Sequence, residues 1–142
     1  MTVRNIYARP VLDKESVQWF AQDYDRFLAS YDMVAVMAMP LMEGVARKDA
    51  LAWLGRLVRQ AKARPLGLKR TLFELQSVDW NRRSLATGHN VPSEDLAAQM
   101  RFLERQGALN FGYYPDDFLH NHPRAEVIHP VMSLQSHPYE ER

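Results

Sequence analysis

The stretch Val34-Ala35-Val36-Met37-Ala38-Met39-Pro40 is apolar from end to end and stops at a proline. A run of this length with no polar alternation describes a strand covered on both faces, and such strands belong to parallel sheets flanked by helices. Working outward, three further β-like runs occur at residues 5–8, 71–76 and 108–113. Successive runs start about 30 to 40 residues apart, the length of a βα unit with its loops. Three of the four are followed by segments of helical periodicity, which predicts an α/β fold of about four parallel strands joined by helical crossovers.

The first helical segment, capped by Asp13 or Ser16, carries Val17, Phe20, Tyr24, Phe27, Leu28 and Tyr31 at spacings of three and four. The second begins near Asp49 and runs through Leu51, Leu54, Val58 and Ala61 to the breaker Ala63-Arg64-Pro65-Leu66-Gly67. Trp53, between Leu51 and Leu54, reads as core. In the third, Pro92-Ser93-Glu94-Asp95 supplies a cap and first-turn acids, Leu96, Met100 and Leu103 form the stripe, and Gly107 suits a left-handed end. Residues 115–142 read as a mostly irregular tail with room for one short helix.

With 142 residues, the chain suits a single domain over residues 1–142. Hydrophobic residues at 46% and charged residues at 25% exclude a disordered or fibrous class. Eighteen basic against seventeen acidic residues leave no electrostatic footprint for nucleic acid. Cysteine is absent, which excludes thiol catalysis and disulfides. No segment approaches the roughly 20 apolar residues that span a bilayer. The N-terminal ten residues carry no apolar signal core, so the chain as written is expected to stay in the cytoplasm.

If the strands are parallel, the loops 8–16, 40–49, 77–93 and 114–123 open on one side of the sheet. They bring Glu43, Asp79, Trp80, Tyr114, Asp116 and Asp117 to one rim, with Glu74 just beneath. Flat rings stack on pyranose faces, and carboxylates accept from hydroxyls or pair with amines, so this mixture suits a carbohydrate cleft. Each residue also has a structural reading. Trp80, among the polar Asp79, Asn81, Arg82 and Arg83, is exposed for function or packs on the next helix. Trp19 is core or cleft. One of Asp116 and Asp117 caps a turn, and Glu74 pairs with Arg70 or Lys69. His120, His122, His129 and His137 lack the spacing of a zinc signature, so no metal site is expected. Neither a phosphate-binding glycine loop nor a nucleophile elbow is present, and no cofactor is expected.

Tyr31-Asp32 leading into Ala35-Val36-Met37-Ala38-Met39-Pro40, then Glu43-Gly44, then Phe73-Glu74-Leu75-Gln76 with Asp79-Trp80, and finally Phe111-Gly112-Tyr113-Tyr114-Pro115-Asp116-Asp117-Phe118 form an ordered set. Together they resemble the C-terminal domain of the poly-β-1,6-N-acetyl-D-glucosamine N-deacetylases, the PgaB family of biofilm exopolysaccharide export. The resemblance runs from about Arg4 to about Tyr139. It implies a glycoside-hydrolase-like TIM-type (β/α) barrel, of which this chain is the C-terminal half, and binding of partially de-N-acetylated poly-β-1,6-glucosamine. Trp19, Trp80, Glu74, Tyr114 and Asp116 match the family's sugar-facing motifs or their neighbours, which implies substrate contact; Glu43 joins them as an acid suited to a cationic sugar. Family members also carry a metal-dependent deacetylase domain and reside in the periplasm, often as outer-membrane lipoproteins. Neither that domain nor the family's acidic catalytic loop is matched here, so deacetylation is not expected, no residue is assigned as catalytic, and glycosidase activity stays open.

Unpaired strand edges and an uncovered inner face predict self-association or docking of the missing barrel half. Two other readings stand beside the sugar-binding one: a stand-alone α/β binding or scaffolding module, and a nonfunctional remnant of a disrupted gene.

Overall fold

A computed structural model describes residues 1–80 and 89–133. The chain order is β1 (Val3–Tyr7), α1 (Ala8–Leu12), α2 (Val17–Phe20), α3 (Tyr24–Ser30), β2 (Met33–Met37), α4 (Ala50–Lys62), β3 (Thr71–Gln76), β4 (Val78–Asp79), β5 (His89–Asn90), α5 (Ser93–Arg105), β6 (Phe111–Tyr114) and α6 (Ala125–Met132). Strands β1, β2, β3 and β6 form one sheet in that order. Every neighbour is parallel, with Ile6 opposite Val36, Val36 opposite Phe73, and Phe73 opposite Phe111. This is the expected α/β architecture of about four parallel strands with helical crossovers.

One face of the sheet makes the core. Ile6, Val34, Val36, Phe73 and Leu75 pack there against Tyr24 and Leu28 of α3, Trp53, Leu54, Leu57 and Val58 of α4, Leu96, Met100 and Leu103 of α5, and Ile128 and Val131 of α6. Helix α4 buries positions 50, 53, 54, 57, 58 and 61, the three-and-four spacing of a single helical stripe. Trp53 is part of that stripe, as its neighbours indicate. Gly55 faces α5, where a Cβ would meet the Phe102 ring at 3.4 Å, an ordinary van der Waals contact. Helix α5 has Glu94 and Asp95 in its first turn, where acids suit the dipole, and stops at Gly107 with φ +82°.

The first helical segment differs from its periodicity. Instead of one helix over residues 17–31, the chain forms α2, turns at Ala21 with φ 50°, and restarts as α3. Asp23 explains the break: its side chain accepts from the Arg26 amide and starts α3 by replacing an intrahelical bond, while Asp13 accepts from the Glu15 amide and caps the turn before α2. Of the apolar series Tyr24 and Leu28 are buried in the core and Phe27 packs against it, whereas Phe20 packs on Tyr7, with ring centroids 5.3 Å apart.

The crossover after α4 is held by a buried polar relay. The Thr71 hydroxyl donates to the Gly67 carbonyl at 2.6 Å and accepts from the Tyr24 hydroxyl at 2.5 Å, so α3 and the start of β3 are tied through one hydroxyl. Burial pushes the Tyr24 phenol above its ordinary range. Arg64 caps the same corner, donating to the Gln60 carbonyl at 2.8 Å, pairing with Asp25 at 2.7 Å and lying over the Tyr24 ring. Gly67 is required there because a Cβ would fall 2.3 Å from the Ala61 carbonyl oxygen.

Among the described residues, the segment after β6 carries a bridge and a helix. Asp117 and His122 form a bridge, and α6 packs against α5 with Ile128 and Val131 buried. Residues 134–142, including His137 and the end of the family resemblance near Tyr139, lie outside the described residues, as do Asn81, Arg82 and Arg83.

Candidate functional site

Because the four strands are parallel, their C-terminal ends and the loops that follow share one rim. Trp80 and Tyr114 come together there. Their rings stack with centroids 6.3 Å apart and planes 29° apart, and the side chains remain 40% and 58% exposed. A stacked pair that keeps this much surface in water is an apolar platform rather than a core contact. Of the two structural readings of Trp80, packing under the next helix is thus the one the structure does not bear out.

The loops carrying the pair are held by Ser77. Its amide donates to the Tyr114 carbonyl at 3.0 Å, and its hydroxyl donates to the Pro115 carbonyl. Its own carbonyl accepts from the Val91 amide at 2.8 Å and from His122 Nε2 at 2.9 Å. One buried serine thereby fixes the ends of β3 and β6 and the loop beyond. Gln76 does the same toward β2: its side-chain oxygen accepts from the Met42 amide at 3.1 Å while its amide group donates to the Val78 carbonyl at 2.8 Å. The sequence reading assigned roles to neither Gln76 nor Ser77. The available signal was a pair of polar residues closing a strand whose alternate positions are apolar.

The carboxylates are distributed along the rim. Asp116 accepts from the Tyr113 hydroxyl at 3.3 Å. Asp117 closes the following turn, accepting from His120 Nδ1 at 2.8 Å, and this hydrogen bond holds its carboxyl below the ordinary range. Of the two acids, Asp117 is therefore the one that fixes a turn. Glu74 lies half-buried on the sheet face opposite the core, with Asn5 Nδ2 at 3.5 Å from its carboxylate. Of the expected partners, Arg70 is engaged elsewhere, donating to the backbone carbonyls of Tyr31 and Asp32. Asp79 pairs with His89 in the short antiparallel β4–β5 ladder.

Glu43 sits in the turn after β2, where Gly44 takes φ +75°. Burial pushes its carboxyl above the ordinary range, and the Arg9 guanidinium pulls it only partway back. The folded chain thus holds this proton more tightly than the unfolded one, so stability falls as pH rises through the folded value. Glu43→Gln is expected to raise the melting temperature at pH 7, and the gain should vanish below the ordinary value of 4.5. Thermal unfolding followed by circular dichroism at the two pH values checks this.

Trp19 stands at the other end of the rim, past β1, and is 88% exposed. With Phe20, Arg9, Asp13, Glu15 and Ser16 it lines a hollow of about 490 Å³. It is therefore not a core residue. Three inter-strand spacings of about 4.8 Å separate β1 from β6, so the two aromatic groups are divided by roughly 14 Å of sheet. Among the described residues, no three His, Asp or Glu side chains converge to hold a metal ion, and no step is derived through one.

The fold and rim define a class: an α/β protein built on the parallel strands of a TIM-type glycoside-hydrolase barrel, with its polar and aromatic residues at the C-terminal strand ends. The chain belongs to GHL13, hypothetical glycosyl hydrolase family 13, whose model matches residues 1–114. It is 44% identical over 137 residues to the poly-beta-1,6-N-acetyl-D-glucosamine N-deacetylases of Escherichia coli K12 and O157:H7, covering 96% of this chain and 20% of each relative. Among solved structures it is similar to the PgaB (BpsB) glycoside hydrolase domain from Bordetella bronchiseptica, with a TM-score of 0.82 and 51% identity over 93% of this chain and 35% of that one. The chain thus spans about a fifth of the length of these curated relatives. The resemblance carried by the motifs is shown by these matches.

Proposed function

We propose that the rim binds partially de-N-acetylated poly-β-1,6-N-acetyl-D-glucosamine, as part of exopolysaccharide processing. The observation that carries this is the exposed Trp80–Tyr114 stack at the C-terminal strand ends. An exposed ring pair offers the apolar face of a pyranose a surface to cover, and Asp116 and Glu43 supply acceptors for hydroxyls or free amines. The name of the Escherichia coli relatives points to the same polymer. The activity proposed is binding, through the ring platform and the carboxylates beside it.

Deacetylated units carry a cationic amine. One amine–carboxylate contact at 4 Å is worth at most about 4 kcal/mol before desolvation and well under 1 kcal/mol when exposed. Glucosamine oligomers are thus expected to bind a few-fold more tightly than fully acetylated ones, with the difference shrinking in salt. Titration followed by tryptophan emission tests the proposal. A saturable change with β-1,6-glucosamine oligomers supports it; no response at millimolar ligand favours a module that binds no sugar.

A further inference from the structure

The rim holds two acids suited to a cationic sugar, Glu43 and Asp116, and the fold treats them differently. Glu43 is half-buried, and that burial works against its charged form. Asp116 is exposed and follows Tyr114 of the ring platform by two residues. Two residues of chain span at most about 7 Å, which keeps this carboxylate within reach of a pyranose resting on that ring. The backbone on either side of Asp116 is pinned. Ser77 donates its amide to the Tyr114 carbonyl and its hydroxyl to the Pro115 carbonyl, and the Asp117 amide donates to the His122 carbonyl at 2.7 Å. Tyr113 then holds the side chain. Side chains alternate along β6, so Tyr113 turns to the helical side, opposite Leu75 in the register, and packs against the core cluster. Its hydroxyl emerges at the strand end and donates to Asp116 Oδ1 at 3.3 Å. Burial, and after it the charge of Asp116, push the phenol above its ordinary range, so the proton stays on Tyr113 and the bond keeps its direction at neutral pH. Among the described residues, Asp116 Oδ2 has no hydrogen-bond partner.

We propose that Tyr113 is a positioning residue for the rim: it orients the Asp116 carboxylate so that one oxygen is taken and the other meets the free amine of a glucosamine unit lying on the Trp80–Tyr114 platform. The inference rests on the sugar-binding reading and adds to it the group that sets selectivity. A free amine brings a charge to Asp116, whereas an N-acetyl group brings only a neutral N–H, and hydrogen bonds between charged groups are the stronger ones. A carboxylate already oriented also loses less freedom when the amine arrives, which is the gain of preorganisation. At 3.3 Å the Tyr113 bond is long for a hydroxyl donor, so its removal is expected to change selectivity a few-fold rather than to abolish binding. Tyr113 acts on the sugar only through Asp116.

Calorimetric titration of the full chain with a β-1,6-glucosamine oligomer and with its fully N-acetylated counterpart tests this, the quantity read being the ratio of the two dissociation constants. The wild type is expected to favour the glucosamine oligomer a few-fold. Tyr113→Phe keeps the packed ring and removes only the hydroxyl, and it is expected to bring the ratio below about twofold. Asp116→Asn is expected to do the same, and the double variant to lose no more selectivity than Asp116→Asn alone, because the hydroxyl works through the carboxylate. A purely structural role for Tyr113 would weaken both oligomers alike and leave the ratio as it was. That result, or a double variant less selective than Asp116→Asn, overturns the inference. Circular dichroism establishes whether Tyr113→Phe keeps the native fold; if it does not, Asp116→Asn decides, and an unchanged ratio there overturns the inference too. A wild type that binds neither oligomer removes the sugar-binding reading and this inference with it, whereas a wild type that binds both alike, or whose preference survives Tyr113→Phe, removes the inference alone.

Discussion

Trp80→Ala is expected to weaken binding of β-1,6-glucosamine oligomers by about 30-fold, or about 2 kcal/mol, the scale of a buried aromatic anchor in an interface. Trp80 shares its platform with Tyr114, so the substitution removes both a ring and the surface that orients its neighbour. Isothermal titration calorimetry of the wild type and variant measures the change. The fold should be indifferent, since Trp80 is 40% exposed and lies outside the core cluster. A variant that retains wild-type affinity would remove the platform from the proposed function.

Phe73→Ala is expected to lower the unfolding free energy by about 3 to 5 kcal/mol. Phe73 is fully buried at the centre of β3, paired on one side with Val36 and on the other with Phe111, and it packs in the cluster to which α3, α4, α5 and α6 contribute. Truncation leaves a cavity that four helices and three strands cannot collapse together. Against a total of about 5 to 15 kcal/mol for a domain, the loss takes a large share. Urea denaturation reads it as a lower midpoint at an unchanged slope.

These two expectations rest on different kinds of information. Phe73 was legible as an inward residue because Thr71–Gln76 alternates, and the apolar run ending at Pro40 identified a strand of a parallel sheet without reference to anything distant. Helices α4 and α5 were equally legible. Their stripes recur at three and four residues, and their ends carry local signals in Pro65 and Gly107; Ser93, expected in the cap, is instead the first helical residue and its hydroxyl accepts from the Arg124 amide. The family resemblance was carried by short ordered motifs that also sit at strand ends.

Other features were not legible along the chain. The apolar series from Val17 to Tyr31 has helical spacing throughout, yet Asp23 divides it, because a side-chain acceptor beside a free amide competes with the helix and periodicity does not register that competition. The partner of Glu74 was sought among its sequence neighbours and is Asn5, two strands away. Gln76 and Ser77 passed without a role because their partners, Met42, Tyr114 and His122, are 34 to 45 residues distant.

By itself, the sequence determined the class of fold, the two long helices, the buried identity of Trp53 and the family. Each of these is written in spacings short enough for one strand or helix to express. The tertiary structure alone decided that Trp80 stacks on Tyr114 and that Trp19 stands in solvent. The first depends on the parallel register between β3 and β6, and register is a relation between segments that no stretch of chain contains on its own.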